Sequence, residues 1–331
     1  AMSSNHRLYV GNIGMYGNYA SNKAISECDV LFAIGVRFGD RITGKIEEFA
    51  KNAKIIHVDI DTASISRNIV VNIPIVADAK TALDEMLTHA AAVKSDAWVK
   101  SIDEWKKEIP ITMSGYEGMT PEKIINKIND LFPDSIVTTD VGQNQLWTTQ
   151  YIRMDGKRQF LTSGGLGTMG YGLPAAIGAS IGNPGNPVIC ISGDGGAQMN
   201  IQELATAHAL ETPVILCIFN NTYLGNVKQM QKMFYNKRYS STCLRYSRSC
   251  NRQCRIDGTC AGGEYVPDFV KLAESYGCTG IRVENEAQMD EAFKRAAENT
   301  KSVTLIEFML DCEYDVYPMV PGGAALSDMM F

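Results

Sequence analysis

The sequence predicts an α/β fold with two doubly wound parallel-sheet domains. Short apolar runs alternate with stretches of helical spacing, a pattern typical of parallel strands joined by crossover helices. The chain has 331 residues, enough for two cores, and 45% of them are hydrophobic. Its 29 glycines suit the tight turns of such a fold. These patterns divide the chain into a first domain at 1–92, a linker at 93–118 and a second domain at 119–331.

Composition narrows the classes of partner and the compartment. The net charge of −6 at pH 7 argues against nucleic acid or an anionic membrane as the main partner. No apolar run reaches the length of a membrane span, and no signal peptide is recognisable. Cys190 and Cys217 fall inside apolar strands, where thiols act as small hydrophobic groups. We therefore expect a cytoplasmic protein without nucleic-acid or membrane partners.

The first domain carries weak nucleotide-binding signals. Periodicity predicts strands at 29–35 and 54–60 and helices at 18–27, 43–49 and 79–92. Gly11, Gly14 and Gly17 punctuate an early loop, and Asp59 and Asp61 end the second strand. An acid at such a strand end commonly contacts a ribose. Taken alone, the glycines are better explained by a plain turn, and the aspartates by helix caps or solvated charges.

The linker at 93–118 is polar but carries two tryptophans. We expect Trp98 and Trp105 to anchor the linker along the surface rather than to form a ligand box. The second domain begins where Thr120 and Pro121 provide a cap and a first-turn proline for a helix.

Two loops of the second domain are candidates for ligand binding. A strand predicted at 136–139 leads to Gln143 and Asn144 at a helix start, a place suited to phosphate oxygens or to an ordinary cap. The segment SGGLGTMGYGLPAAIG at 163–178 has six glycines, which indicates either a close approach of backbone to another group or a helix packed tightly on its neighbour. Met169 in this segment would, taken alone, be core filling.

The strongest signal is a strand–helix–strand unit. Strands are predicted at 188–192 and 213–219 with a helix at 200–210 between them. This order predicts a parallel pair with a right-handed crossover. The polar clusters GDGG and NN follow the two strands, so both should lie at the carboxyl edge of the sheet, where open α/β sheets bind ligands.

These clusters offer the oxygen ligands that Mg²⁺ prefers. Asp194 supplies a carboxylate, Asn221 an amide oxygen and Tyr223 a backbone carbonyl, which together suit an octahedral ion shared with a diphosphate. Gly193, Gly195 and Gly196 let backbone N–H groups approach an anion.

Together these segments resemble the large catalytic subunit of acetolactate synthase (acetohydroxyacid synthase), a thiamine diphosphate-dependent enzyme. The matching stretches are GMYGNYA, GVRFGDRITGK, HVDID, TTDVGQNQLWTTQ, SGGLGTMGYGLPAAIGA, GDGGAQMNIQELATA, NNTYLGNVKQMQ and FYNKRYSSTCL. The resemblance implies an incomplete central flavin-binding domain at 1–92 and a diphosphate domain at 119–331. It also implies a transferase of branched-chain amino-acid biosynthesis. In the reaction that the resemblance implies, pyruvate would be decarboxylated, and the hydroxyethyl group formed would be joined to a second 2-oxoacid.

The resemblance assigns roles to individual residues. Asp194, Asn221 and the Tyr223 carbonyl would hold Mg²⁺. The Gly167 carbonyl would accept a hydrogen bond from the aminopyrimidine, and Met169 would wedge beneath the cofactor. The diphosphate would be contacted by Gln143, Asn144, Gly193, Gly195 and Gly196. Non-redox flavin adenine dinucleotide (FAD) would be bound by Gly14, Met15, Tyr16, Gly17, Arg37, Asp59 and Asp78.

The chain departs from the family pattern at several positions. The family commonly has histidine at the positions of Tyr16 and Asn144, and tryptophan at the position of Met230, which helps to form the acceptor-substrate pocket. An apparent insertion adds Cys250, Cys254 and Cys260 after Cys243. Loop thiols, a zinc site and a redox-sensitive disulfide are competing explanations for these cysteines.

The amino-terminal pyrimidine-binding domain of the family, with its activating glutamate, is not in this sequence. We therefore expect residues 1–331 alone to be inactive and to form a dimer or larger oligomer, with a regulatory small subunit as a further partner. Another thiamine diphosphate-dependent carboligase or decarboxylase, or a non-catalytic nucleotide-binding protein, are the alternatives.

Overall fold

The computed structural model describes residues 2–245 and 267–331, and the chain divides into two compact units. The six-stranded unit comprises Thr112–Val316 with the amino-terminal five residues, and the three-stranded unit comprises His6–Ile111 and Tyr317–Phe331. The strands pair in parallel in both sheets, so the predicted fold class is confirmed.

The three-stranded unit has the strand order β1-β2-β3. Its elements are α1 (Tyr19–Glu27), β1 (Val30–Ile34), α2 (Asp40–Thr43), a 3₁₀ turn (Ile46–Glu48), β2 (Lys54–Asp59), β3 (Ile73–Val76), α3 (Ala79–His89) and α4 (Asp96–Glu108). Asn18 caps α1 by accepting a hydrogen bond from the Ser21 N–H, at 2.7 Å. The helix predicted at 43–49 is replaced by α2 and the 3₁₀ turn, because Gly44 adopts φ +56° and ends α2.

The stretch predicted as a linker contains α4, which belongs to the three-stranded unit. Its two tryptophans pack edge to face, with ring centroids 5.5 Å apart. Lys23 of α1 lies over the Trp105 ring, at 5.1 Å from the centroid. The tryptophans thus hold α4 against α1.

The six-stranded unit has the strand order β5-β4-β6-β7-β9-β8. Its elements are α5 (Pro121–Leu131), β4 (Ile136–Thr139), α6 (Gln143–Tyr151), β5 (Gln159–Thr162), α7 (Gly172–Gly182), β6 (Val188–Gly193), α8 (Asp194–Ala197), α9 (Glu203–Ala209), β7 (Ile215–Asn220), α10 (Gly225–Phe234), α11 (Phe269–Ser275), β8 (Thr279–Val283), α12 (Met289–Glu298) and β9 (Thr304–Met309). The predicted parallel pair is present as β6 and β7, with Ile189 opposite Ile215. The helix predicted at 200–210 is shorter, because 198–202 form turns between α8 and α9.

Each unit has its own apolar core. The central strands β6 and β7 are buried on both faces, as parallel strands covered by helices should be. In the three-stranded unit, Val320 and Leu326 from the carboxyl-terminal segment complete a cluster around Phe38 and Phe49. Among the residues that the structure describes, no helix combines the length and apolar character that crossing a bilayer requires.

Candidate functional site

A cavity of about 230 Å³ lies at the carboxyl edge of β4, β6 and β7 in the six-stranded unit. This is the edge predicted from the strand order. The predicted residues that line it are Gln143, Asn144, Gly167, Met169, Gly193, Asp194, Gly195, Gly196, Asn221 and Tyr223. Met230 lies on α10 but is not among the lining residues.

A wider cavity, of about 520 Å³, lies beside α3 in the three-stranded unit. The surface that it exposes is largely apolar, although Thr81, Glu85 and His89 also border it. Binding sites combine apolar walls with a few convergent polar groups. In the smaller cavity of the six-stranded unit, polar groups such as Asp194, Asn221 and Gln143 converge, which makes it the candidate functional site.

Asp194 is the charged group of the site. It is 2% exposed, at the point where β6 ends and α8 begins. Its Oδ1 accepts a hydrogen bond from the Gly195 N–H at 2.7 Å, whereas its Oδ2 is buried without a hydrogen-bond partner. Burial raises the pKa of the carboxyl to about 7, although backbone N–H groups oppose that rise. A buried carboxylate oxygen without a partner is costly, and a bound cation would satisfy it.

Asn221 follows β7 and is held at both ends of its side chain. Its Nδ2 donates to Gln143 Oε1 at 3.0 Å, and its Oδ1 accepts from the Tyr223 N–H at 3.2 Å. Thr222 between them adopts φ +63°, which reverses the chain after the strand. The amide oxygen of Asn221 keeps a second lone pair for a metal ion.

The side chains of Gln143 and Asn144 are engaged within the protein. Gln143 Nε2 donates to Gln229 Oε1 at 3.1 Å and to the Tyr314 carbonyl at 3.2 Å. Asn144 Nδ2 donates to the Asp140 carbonyl at 3.0 Å and the Ile191 carbonyl at 3.1 Å. Neither carboxamide therefore has a hydrogen to spare for a phosphate in this arrangement. In the structure, the Gln143 side chain orients Asn221, and the Asn144 side chain joins α6 to β6.

The glycines of the GDGG segment sit where side chains would not fit. A Cβ on Gly195 would lie 2.5 Å from Leu224 Cδ2 and 3.7 Å from Met169 Cε. A Cβ on Gly196 would lie 2.5 Å from Asp140 Oδ1. Backbone without side chains therefore lines the cavity at these two positions, and the Gly195 N–H donates to Asp194 Oδ1.

Asp140 is a site residue that sequence reasoning missed. It follows β4 and is 1% exposed. Its carboxylate accepts hydrogen bonds from the N–H groups of Val141, at 2.8 Å, of Gly170, at 3.0 Å, and of Gly172, at 3.1 Å. Its place directly after a predicted strand was a usable signal, but its partners lie about 30 residues further along the chain.

A second missed group lies behind Asn221. Glu307 of β9 is 1% exposed, accepts from Asn220 Nδ2 at 2.7 Å and pairs with Arg282 Nε at 2.8 Å. Asn220 Oδ1 in turn accepts from the Thr222 N–H at 3.0 Å. This chain of contacts fixes the turn that presents Asn221 and the Tyr223 carbonyl.

The residues predicted to bind FAD lie in the three-stranded unit, and some of their backbone groups are engaged. Gly14 N–H donates to Asn22 Oδ1 at 2.8 Å, Met15 N–H to the Arg41 carbonyl at 2.7 Å and Gly17 N–H to the Gly14 carbonyl at 2.9 Å. These three N–H groups hold the early loop in place.

The side chains predicted for FAD have a different position. Arg37 follows β1, Asp59 ends β2 and Asp78 follows β3, so all three belong to the carboxyl edge of the three-stranded sheet. Asp78 also caps α3 through the Thr81 N–H, at 3.1 Å. Tyr16 is half-buried in the early loop.

Of the four cysteines of the predicted cluster, only Cys243 is among the described residues. Cys250, Cys254 and Cys260 lie outside the described residues, so its three explanations stay predictions. Cys243 forms an isolated β-bridge with Tyr223. Across 2–245 and 267–331, no three His, Cys, Asp or Glu side chains converge as a metal site.

The donor set of the cavity fits a divalent cation together with a diphosphate. Asp194 brings one charge and an unpartnered oxygen, and Asn221 and the Tyr223 carbonyl bring neutral oxygens. Three protein oxygens leave positions for phosphate oxygens and water, as Mg²⁺ sites usually do.

Comparison with known proteins agrees with this chemistry. The family described as "Thiamine pyrophosphate enzyme, C-terminal TPP binding domain" matches residues 140–308. The family described as "Thiamine pyrophosphate enzyme, central domain" matches residues 1–86. Thiamine pyrophosphate is another name for thiamine diphosphate.

Curated relatives extend over nearly the whole chain. It is 42% identical to a probable acetolactate synthase large subunit of Methanococcus aeolicus, over 99% of this chain and 55% of the relative. It is 40% identical to an acetolactate synthase large subunit of Cyanidium caldarium, over 98% and 53%. It is 36% identical to the acetolactate synthase isozyme 3 large subunit of Escherichia coli, over 99% and 56%.

The chain thus spans about half the length of these relatives. Their names confirm the resemblance to acetolactate synthase large subunits that the motifs indicated. Because both domain families are matched, this chain belongs to the thiamine pyrophosphate enzyme family.

Proposed function

We propose that the six-stranded unit binds the Mg²⁺ complex of thiamine diphosphate as the diphosphate-binding part of an acetolactate synthase large subunit. The observation that carries this proposal concerns Asp194, which lines the cavity. Its Oδ2 atom is buried and has no hydrogen-bond partner. The relatives at 36–42% identity support the choice of reaction.

The residues of the chain would divide the work of binding. Asp194, Asn221 and the Tyr223 carbonyl would hold the metal ion, and backbone at Gly193, Gly195 and Gly196 would lie against the diphosphate. Gln143 and Asn144 would act on the diphosphate by fixing these neighbours. When bound, thiamine diphosphate supplies a carbon nucleophile and an electron sink.

The remaining cavity residues would bind and orient the organic part of the cofactor. Met169 lines the cavity and its Cε comes close to Gly195. Its apolar side chain would support the cofactor from below and exclude water. The carbonyl of Gly167, also in the lining, would accept a hydrogen bond from the aminopyrimidine.

The proposed substrates are pyruvate and a second 2-oxoacid. Met230, outside the cavity lining, would influence the choice of acceptor, if the acceptor approaches along α10. Replacing Met230 with tryptophan should then change the ratio of products formed from pyruvate and 2-oxobutyrate. An unchanged ratio in the active enzyme would remove Met230 from the proposal.

Assembly and location follow from the same reasoning. Within the described residues, β1 and β3 each have one neighbour in their sheet. Such edges favour self-association, and we propose a dimer or larger oligomer. The designation of the relatives as large subunits supports a smaller regulatory partner. The buried free thiols of Cys190 and Cys217 support a cytoplasmic location.

We also propose non-redox FAD at the three-stranded unit, held by the side chains of Arg37, Asp59 and Asp78. The support is their shared position at the carboxyl edge of a parallel sheet. Gly14, Met15, Tyr16 and Gly17 would then help by shaping the early loop. Titration of FAD fluorescence with the chain tests this proposal, and an unchanged signal at excess protein would contradict it.

Calorimetric titration tests the central proposal. Thiamine diphosphate should bind to residues 1–331 when Mg²⁺ is present and lose its affinity when the metal is chelated. Thiamine diphosphate binding that is equally tight with and without Mg²⁺ would contradict the proposed metal site.

Turnover requires more than binding. Among the described residues that line the cavity, Asp194 is the only one with a carboxylate. If Asp194 holds the metal ion, none of them is left to give acid–base help to the aminopyrimidine. Acid–base help of that kind contributes on the order of 10²–10⁴ in rate. We therefore expect no acetolactate from this chain alone in a colorimetric assay with all cofactors supplied. Robust turnover would contradict that expectation.

A further inference from the structure

We propose that Asp140 and Asn200 form a clamp on Gly170 that fixes the position of Met169, and so favours ligands that carry an organic group on their diphosphate. Both are positioning residues, because neither lines the cavity. The inference rests on the proposed function, since it concerns which part of the cofactor each end of the cavity holds.

The first half of the clamp is the Asp140 carboxylate. Gly170 N–H donates to both of its oxygens, at 3.1 and 3.0 Å, and Gly172 N–H donates to Oδ2 at 3.1 Å. Hydrogen bonds to a buried carboxylate are stronger than those between neutral groups. The carboxylate therefore fixes the chain on the carboxyl side of Met169.

The second half is the side chain of Asn200, which follows α8. Its Nδ2 donates to the Gly170 carbonyl at 2.7 Å. Gly170 has φ +95°, and a Cβ there would lie 2.7 Å from Asn200 Nδ2 and 2.9 Å from Met199 Cβ. The N–H and the carbonyl of one glycine are thus held from opposite sides, directly after Met169.

The lining of the cavity has a polar end and an apolar end. Asp194, Asn221 and the glycines of GDGG form the polar end, where a metal ion and a diphosphate would lie. Met169 and Leu224 supply apolar surface in the same cavity. Inorganic pyrophosphate can use only the polar end, whereas thiamine diphosphate can use both.

Asparagine at position 140 isolates the effect of the clamp. It keeps the size of aspartate, so the close approach of Gly196 to the side chain is retained. One carboxylate oxygen becomes an NH₂ group, which cannot accept a hydrogen bond. Gly170 N–H then keeps only one of its two acceptor oxygens, and with the NH₂ group at the Oδ2 position the Gly172 N–H loses its acceptor. The loop that carries Met169 should shift, while the polar end keeps its residues.

The experiment titrates residues 1–331 with two probes, thiamine diphosphate and inorganic pyrophosphate, each with Mg²⁺. Asp140→Asn should weaken thiamine diphosphate roughly tenfold and pyrophosphate by less than about twofold. Asn200→Ala should act in the same direction by roughly threefold, because it removes one neutral hydrogen bond.

Asp155→Asn is the matched control. Asp155 is not among the residues that line the cavity, and its Oδ1 accepts hydrogen bonds from the Gly156 N–H at 2.9 Å and from the Ser3 hydroxyl at 2.8 Å. This substitution also removes a carboxylate that accepts from backbone, and it should lower Tm while changing neither affinity.

The outcomes distinguish the clamp from the proposed function. Equal weakening of both probes by Asp140→Asn would mean a purely structural role and would overturn the clamp. If Asp140→Asn does not fold, Asn200→Ala decides, and an unchanged ratio of the two affinities overturns the clamp. If wild type binds neither probe, the proposed function fails and the clamp fails with it.

Discussion

The two units differ in how far the polar groups near the carboxyl edge of their parallel sheets are satisfied by hydrogen bonds within the protein. In the six-stranded unit the edge is a cavity whose carboxylate, Asp194, is buried with one oxygen lacking a hydrogen-bond partner. In the three-stranded unit the N–H groups of Gly14, Met15 and Gly17 donate to oxygens of the same unit. Asp59 there is half-buried, and its Oδ1 accepts from the Asp61 N–H at 2.9 Å.

The difference shows that glycines near a strand end do not by themselves make a ligand site. Gly14 has φ +100° and packs against the Arg41 backbone, so its lack of a side chain serves the fold. Gly195 packs against the ends of Leu224 and Met169, beside an unpartnered carboxylate oxygen. A binding site is indicated by polar groups that the fold leaves unsatisfied.

The largest effect is expected from removing the Asp194 carboxylate, which distinguishes the two sheet edges. Asp194→Ala should weaken Mg²⁺-dependent binding of thiamine diphosphate by more than roughly 100-fold, beyond the effect typical of residues that only support a metal ligand. Its stability should change little, because the lost Gly195 hydrogen bond is offset by relief of a desolvated carboxylate. Calorimetry and thermal melts measure the two effects.

Asp59→Ala is the control for this substitution in the other unit. It removes an aspartate from the corresponding sheet edge and should leave thiamine diphosphate affinity unchanged. If the two variants lose affinity equally, the assignment of the metal to Asp194 is wrong.

Alanine at Gly195 and at Gly14 should give opposite results. Gly195→Ala meets flexible side-chain ends, so we expect a small loss of stability but roughly tenfold weaker cofactor binding. Gly14→Ala meets backbone at a positive φ and should cost about 2–3 kcal/mol of stability without changing cofactor affinity. Denaturant unfolding with parallel titration checks both. If both variants lose stability and cofactor affinity to the same extent, the two glycines do not have these different roles.

The contacts of Glu307 with Asn220 and Arg282 can be tested by their effect on stability. Glu307→Gln keeps an acceptor for Asn220 but places an amide NH₂ or a neutral oxygen against Arg282. We expect a loss of about 1–3 kcal/mol in the free energy of unfolding, because the buried Glu307 side chain loses the charge that its contacts with Arg282 and Asn220 are built around. Chemical denaturation measures it, and Lys80→Gln, in an exposed ion pair with Asp84, should change stability by less than about 0.5 kcal/mol.

What could be predicted from the sequence followed local rules. Thr120 caps α5 as predicted, through the Lys123 N–H, because cap and first-turn proline are adjacent in the chain. The β6–β7 pair followed from two apolar runs joined by a helix. Strand order then placed Asp194 and Asn221 at one edge, without knowledge of any contact.

What could not be predicted depended on distant partners. Asp140 finds its partners about 30 residues away, and Gln143 bonds Gln229 and Tyr314, at separations of 86 and 171 residues. An acid after a strand does not reveal whether its partner will be a metal ion or backbone. The strand β3 was missed because it contains Pro74 and is largely exposed, so it has no buried apolar run.

The smallest expected effect concerns Asp78, for which two roles compete. The structure gives it the cap of α3, and the family resemblance suggests FAD. Asp78→Ala should lower stability by about 1 kcal/mol, whereas Asp78→Ser keeps a capping oxygen and should lose only a few tenths. Thermal unfolding of both variants checks the cap. If Asp78 also binds FAD through its charge, serine will weaken FAD as much as alanine does. If FAD affinity follows stability instead, Asp78 acts only as a cap, and Arg37 and Asp59 remain as the proposed flavin contacts of the three-stranded unit.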